Sequence, residues 1–264
     1  MIHLLSLLNN TPTAIIAILL LALIFLSYLA GAWLGNYQKR HNPDAKAKGV
    51  GPLEGALLGL LALLLSFTFS MSASRFDNRN SLITDEANAI GTVLLRTDLY
   101  PDSSRVLFRK DLKQYVETRI AYYNAGNDRS LIDKTLREAT IISTRIWERA
   151  GQLSRASSAT VPHSLMVPAL NDMIDLVNSR DAARQAKVPD SIFWLLILLT
   201  ILGSLVIGYS KQEKKNDWIV LTIYSLMTVL TVYTIIDLDR PRQGIIKTDT
   251  AHRKIVELRE LFKE

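Results

Sequence analysis

Four stretches of this 264-residue chain carry no charged side chain over a length sufficient to cross a hydrocarbon core of roughly 30 Å: residues 13–38, 55–74, 191–210 and 218–236. Their limits are sharp: Glu54 and Arg75 bound the second, Asp190 and Lys211 the third, and Asp217 and Asp237 the fourth. Hydrocarbon offers no partner to a bare peptide N–H or C=O, so each run is predicted to coil into a transmembrane helix that pairs its own backbone. Buried helices of water-soluble proteins seldom run so long without charge. No basic segment precedes the first apolar run, which is too long for the apolar core of a signal peptide, so this span is expected to stay in the mature protein.

The spans come in pairs. Residues 39–54, with Pro43, Gly49, Gly51 and Pro52, join the first two, and residues 211–217 join the last two. Such short links predict two antiparallel hairpins, within residues 1–74 and 191–236. Between them lies an extramembrane domain, 75–190, and after them a tail, 237–264, with a short charged helix. The expected class is therefore an all-α membrane protein. Trp33, Tyr37, Tyr209 and Trp218 fall beside the links, where amphipathic rings favour the membrane interface. The links also concentrate Lys39, Arg40, Lys46, Lys48, Lys211, Lys214 and Lys215, whereas no Lys or Arg precedes the first span. By the positive-inside tendency this places the links in the cytoplasm of a bacterial inner membrane, with the middle domain and both termini periplasmic. Arg75, Arg79, Arg180, Arg184, Arg240 and Arg242 flank the spans on the opposite side and pull the other way.

The middle domain reads as helices throughout, with no period-two alternation long enough for a sheet. Leu82, Ile83, Ala87, Ile90, Val93 and Leu94 make an apolar side that continues directly out of the second span, up to a stop at Pro101-Asp102. Phe108, Leu112, Tyr115, Val116 and Tyr123 form the next stripe; Ile132, Leu136, Ala139, Ile142 and Ile146 form the one after. The Ser- and Ala-rich residues 151–162 are expected to form a loop, followed by a stripe of Met166, Leu170, Met173, Ile174 and Val177. In the tail, Ile255, Leu258 and Phe262 would face a partner. Amphipathic helices of this kind pack on one another or on a neighbouring subunit.

Composition narrows the chemistry. The chain contains no cysteine, which excludes disulfides, iron–sulfur ligation and thiolate catalysis. The mean hydropathy of +0.15 averages apolar blocks with a charged middle. The net charge of +6 is explained by Lys and Arg beside the spans and on the helical domain, so no nucleic-acid partner is expected. The histidines His3, His41, His163 and His252 are scattered with no pair at ligand spacing and are expected at surfaces or interfaces. No phosphate-binding loop, dinucleotide fingerprint, HExxH or nucleophile elbow occurs, so no enzyme, cofactor or metal site is expected. Asp85-Glu86 is a paired carboxylate, but helical neighbours do not face each other, which argues against a shared acid–base role. No charge lies inside a span, which counts against a proton-coupled carrier.

The second span carries the most information. Gly55, Gly59, Ala62, Ser66, Ser70 and Ala73 recur every three or four residues and put small side chains on one helix face. Such a stripe serves either close helix–helix packing or the lining of a pore, in which Phe67 and Phe69 would form apolar gating rings. It continues beyond the membrane through Asp77, Asn80 or Ser81, Thr84, Asn88 and Gly91, as a vestibule would require. At the end of the fourth span, Asp237 and Asp239 are placed to pair with Arg240, or with Arg75 or Arg79, as a structural clasp.

Two runs resemble the bestrophin-like family of membrane proteins. The first is Leu64-Leu65-Ser66-Phe67-Thr68-Phe69-Ser70, with Ser74-Arg75-Phe76-Asp77 and Glu86-Ala87-Asn88-Ala89-Ile90-Gly91-Thr92; the second is Asp237-Leu238-Asp239-Arg240-Pro241 with Gly244. In the family an aromatic residue and a serine commonly follow that proline, where this chain has Arg242 and Gln243. Bestrophins are pentameric anion channels with four spans per subunit and a cytosolic middle domain, and their second span lines a neck of apolar rings. The resemblance thus implies a homo-oligomer in the lipid bilayer, inorganic ions as partners, and Ser66, Phe67, Phe69 and Ser70 in the neck. Its cytosolic domain is the reverse of the orientation drawn from the links. The expected function is an oligomeric ion channel or channel-like pore with span two on the axis. The alternative is a non-conducting membrane scaffold or sensor, which requires the small-residue stripe to be buried against a helix of the same subunit.

Overall fold

The structure, a computed structural model, describes residues 11–41, 51–156, 160–210, 217–240, 242 and 244–263. Among the described residues every regular element is helical. In chain order these are α1 (Thr13–His41), α2 (Gly51–Arg96), α3 (Asp102–Asn124), α4 (Arg129–Ala156), α5 (Thr160–Gln185), α6 (Asp190–Tyr209), α7 (Asp217–Asp239) and α8 (Asp249–Glu257). Single 3-10 turns, Thr97–Leu99 and Leu258–Phe262, follow α2 and α8. Four helices are long and apolar enough to cross a membrane, and the uncharged runs fall in α1, α2, α6 and α7. Helix α2 is 46 residues long, about 69 Å at 1.5 Å per residue. It ends where Pro101 pushes Tyr100 into an extended conformation (φ −106°, ψ 156°).

The chain divides into two compact units, 1–74 with 187–240 and 75–186 with 241–264. In the first, α1 packs most extensively on α6 and more lightly on α7. Glycines make the α1–α6 contact possible. A Cβ on Gly31 would lie 2.0 Å from the Leu205 carbonyl oxygen, one on Gly208 2.1 Å from that of Tyr28, and one on Gly35 2.7 Å from that of Tyr209. Close small-residue packing is therefore carried by Gly31-x3-Gly35 of the first span against Gly208 of the third. Backbones approach this closely in a bilayer because van der Waals contact, and not exclusion from water, drives helix association there. Around the contact, Leu20, Ile24 and Tyr28 meet Leu196, Leu199 and Ile207, with Leu221, Val232 and Ile235 from α7 and Leu61 and Leu65 from α2. Hydroxyls within the spans donate back along their own helices, as from Thr68 to the Leu64 carbonyl (2.7 Å) and from Thr200 to that of Leu196 (2.7 Å). Tyr224 crosses from α7 to donate to the Thr200 carbonyl at 3.0 Å. Of the links expected at 39–54 and 211–217, residues 42–50 and 211–216 lie outside the described residues, as do His3, Pro241 and Gln243, while residues 39–41 and 51–54 belong to α1 and α2. Of the interface aromatics, Trp33 and Tyr37 stack on one another with ring centroids 5.8 Å apart.

The second unit buries the apolar stripes of α2, α3, α4 and α5 in one core, and the tail joins it through Ala251, Ile255 and Leu258. Three expectations are corrected here. Tyr122, not Tyr123, is the fully buried tyrosine at the end of α3. Residues 151–156 and 160–162, expected in a loop, are helical. The Gln, Leu, Arg and Ala content of the first segment outweighs Gly151, and Pro162 sits in the first turn of α5, where its missing N–H costs nothing. His163 and His252 are buried, not superficial: His163 Nδ1 lies 3.2 Å from the Tyr100 hydroxyl, and the His252 ring stacks on Tyr123 at 3.8 Å.

The helix contact yields a paired prediction. Gly31→Ala or Gly208→Ala forces a methyl into a backbone carbonyl and should cost at least about 1–3 kcal/mol. Gly59→Ala, whose Cβ would meet nothing within 4 Å, should leave stability unchanged. Thermal unfolding of the three variants in detergent reads the difference.

Candidate functional site

Helix α2 presents two unlike faces. In the first unit Leu61, Leu65, Thr68 and Ser72 are buried, at the spacing of one side of a 3.6-residue helix. The opposite side carries Gly55, Gly59, Ala62, Ser66 and Ser70, all exposed, with Ala73 half-buried. A Cβ on Gly55 or Gly59 would meet nothing within 4 Å. The small-residue stripe is thus not spent on packing inside the subunit, as the scaffold reading required. Phe67 is 63% and Phe69 42% exposed. At about 100° per residue two positions apart are about 200° apart, so these rings flank the stripe from opposite sides and do not share a face. Phe69 lies nearer the stripe and Phe67 farther round.

The same helix continues its polar side in the second unit, where Asp77, Ser81 and Asn88 are exposed and Thr84 and Gly91 half-buried. Its other side there enters the core through Ile83, Ala87, Ile90, Val93 and Leu94. Of the residues suggested as a clasp, Asp237 and Asp239 are buried and Arg75 and Arg240 half-buried. The Asp239 carboxylate accepts the Val188 N–H at 3.1 and 3.2 Å, and Arg240 donates to the Thr11 carbonyl at 2.6 Å.

A charged cluster that sequence reasoning missed lies in the core of the second unit. Glu86 is fully buried and accepts from Arg119 Nε at 2.5 Å and from Nη1 of Arg180. Burial alone would raise the Glu86 pKa, but the two guanidiniums outweigh it and hold the carboxyl below the usual range. Arg119 is held charged by the same pair against an equally complete burial. Burial beside Glu86 pushes the Tyr115 phenol up. Asp85, its exposed sequence neighbour, accepts a local Ser81 hydroxyl at 3.3 Å. The position that could have signalled the cluster is Glu86 itself, which interrupts an otherwise apolar face between Ile83 and Ile90. Among the described residues no three His, Asp or Glu side chains converge as a metal site.

These groups imply acid sensitivity. Glu86 has a lowered folded pKa, so its contribution is present at neutral pH and is lost as pH falls through and below the ordinary carboxylate range. The folded pKa of His252 is depressed to about 4 by burial and by Arg180 and Arg242, against the weaker pull of Asp249 and Glu86. Its neutral form is therefore preferred in the fold, and stability falls as pH drops from about 6.5 towards 4. Chemical denaturation across pH 8 to 4 should show this slope, and His252→Gln should flatten its upper part. Glu86→Gln should cost about 3–5 kcal/mol at pH 7, because it leaves two buried guanidiniums without a counter-charge.

Known proteins were compared with this arrangement. No curated protein sequence matches the chain. Its fold is similar to that of a bacterial bestrophin homolog from Klebsiella pneumoniae. The crystal structure phased on zinc aligns over 89% of this chain and 97% of that one, at 16% identity and a TM-score of 0.67. Two single-substitution variants of that homolog align over 91% and 94% of this chain and 98% of theirs, at 15% and 16% identity, with TM-scores of 0.67 and 0.69. The sequence model of the Bestrophin-like domain matches residues 15–252. With four membrane-length helices, a long α2 open on one side and this match over most of its length, the chain belongs to the bestrophin-like family of membrane proteins.

Proposed function

We propose that this chain is one subunit of a homo-oligomeric bestrophin-like ion channel whose axis is lined by α2. The observation that carries the reading is the exposure of Gly55, Gly59, Ala62, Ser66 and Ser70 along one face, opposite the buried Leu61, Leu65, Thr68 and Ser72. Four spans cannot enclose a conduit alone, but copies arranged around an axis could each contribute this stripe. Small side chains and two hydroxyls leave room for an ion or water. Phe69, at the border of the stripe, would narrow the path as an apolar ring that gates by dewetting. Phe67 would then face lipid or the neighbouring copy. Asp77, Thr84 and Asn88 would line a vestibule on the continuation of the same helix, and Asp237 and Asp239 with Arg240 and Arg75 would clasp the span ends. The spans would enter as two hairpins, with copy number five by likeness to bestrophins.

Two measurements test this. The mass of the detergent-solubilised protein should be that of an oligomer, and a monomer would sink the reading. Planar-bilayer recording should show conductance that Phe69→Ala raises; silence across salts, voltages and pH removes the pore. Orientation is tested separately on this cysteine-free chain. The Lys and Arg of the links support a cytoplasmic position for Gln212→Cys and a periplasmic one for Asn127→Cys. An impermeant thiol reagent added outside should then label Cys at 127 only, whereas the reverse labelling would match the cytosolic domain of bestrophins.

A further inference from the structure

A small cavity of about 30 Å³ in the second unit is lined by Arg79 of α2, Tyr122 and Tyr123 of α3, Arg180 and Arg184 of α5, and Arg242 of the tail. No carboxylate lines it. Three guanidiniums gather on one ring: Arg119, Arg242 and Arg180 lie 4.5, 4.6 and 5.5 Å from the Tyr122 centroid. The carboxylates nearby are already engaged. Glu86 takes Arg119 and Arg180, Asp181 takes Arg184 at 2.9 Å together with Gln185 and the Tyr122 hydroxyl, and Asp249 takes the Tyr123 hydroxyl. Arg119, Arg180, Arg184 and Arg242 thus have three carboxylates near them, and Arg79 donates to the Ala183 and Ala186 carbonyls at 3.0 and 2.7 Å.

Contacts with an aromatic face are weak and do not neutralise charge. Burying an uncompensated cation costs far more than such contacts return. Next to this cluster, but outside the cavity lining, Arg119 Nη1 and the Tyr115 hydroxyl are buried and have no hydrogen-bond partner. Arg242 Nη1 donates to the carbonyls of Tyr122 and Gly126, at 3.1 and 3.0 Å, which carry no net charge. Burial, with the like charges of Arg180 and Arg184, lowers the pKa of Arg242.

We infer that this cavity binds one small inorganic monoanion of halide size, held by Arg242 and its neighbouring guanidiniums against the Tyr122 and Tyr123 rings. The volume admits about two water-sized groups, which excludes phosphate esters and nucleotides. The bound anion balances the charge between α3, α5 and the tail, so it fastens the tail to the helical core. The site is built from residues of the second unit and shares none with the small-residue stripe, so it stands whether or not the protein conducts.

The test uses the full chain in detergent, with chloride exchanged for gluconate at constant ionic strength. Thermal unfolding should shift upward by several degrees as chloride rises, and should saturate, because a ligand bound only to the folded state stabilises it by mass action. Arg242→Gln should abolish the shift, whereas Arg259→Gln, which removes an exposed pair with Glu117, should keep it. Equal unfolding temperatures in both salts, or a shift untouched by Arg242→Gln, overturns the inference. Should Arg242→Gln fail to fold, bromide-soaked crystals of the unaltered protein decide. An anomalous peak at the Arg242 guanidinium supports the site, and a cavity holding water alone overturns it.

Discussion

Everything in the membrane unit follows from the inability of hydrocarbon to solvate a peptide group. Once each uncharged run must coil on itself, the remaining freedom is which side of each helix meets another helix, a lipid or an aqueous path. Span one and span three resolve that choice at the closest range a backbone permits, with Gly31 and Gly208 each seated against a carbonyl of the other helix. Span two does the opposite, burying its larger Leu61 and Leu65 and leaving its glycines and serines outward. Small residues therefore face a partner helix in one span and stay outward in another, and side-chain size alone does not say which.

The extramembrane unit solves a different problem. Its apolar helices need no special device to pack, yet the core holds Glu86 between two guanidiniums with no exposure to water. Such a cluster ties α2, α3 and α5 to one register, since moving any of the three strands a charge in a low-dielectric interior. It lies on the buried side of the same helix whose outward side carries Asp77 and Asn88. The tail enters this arrangement through Arg242, the residue where the closing run departs from the family's pattern, over the Tyr122 and Tyr123 rings.

Much of the fold was legible because helix periods and span lengths are local properties. The four spans, the core stripes of Ile83 to Leu94 and of Ile132 to Ile146, and the stop at Pro101 needed only neighbours within a few residues. What is not legible shares a cause as well. Tyr122 and Tyr123 both fit an amphipathic helix, and the arginines arriving from α5 and the tail decide which ring is enclosed. The burial of His163 and His252, expected at surfaces or interfaces, has no local signal because their partners Tyr100 and Tyr123 are far away in sequence.

The sequence by itself determined that this protein has four membrane-length helices, an all-helical middle domain and a small-residue face on the second span. Charge-free length and residue period settle those matters without reference to other parts of the chain. The tertiary structure decided that this face stays open while Gly31 and Gly208 take the close contact, and that Glu86, Arg119 and Arg180 meet. Those outcomes depend on contacts between residues tens to more than a hundred positions apart, for which no local pattern carries a signal.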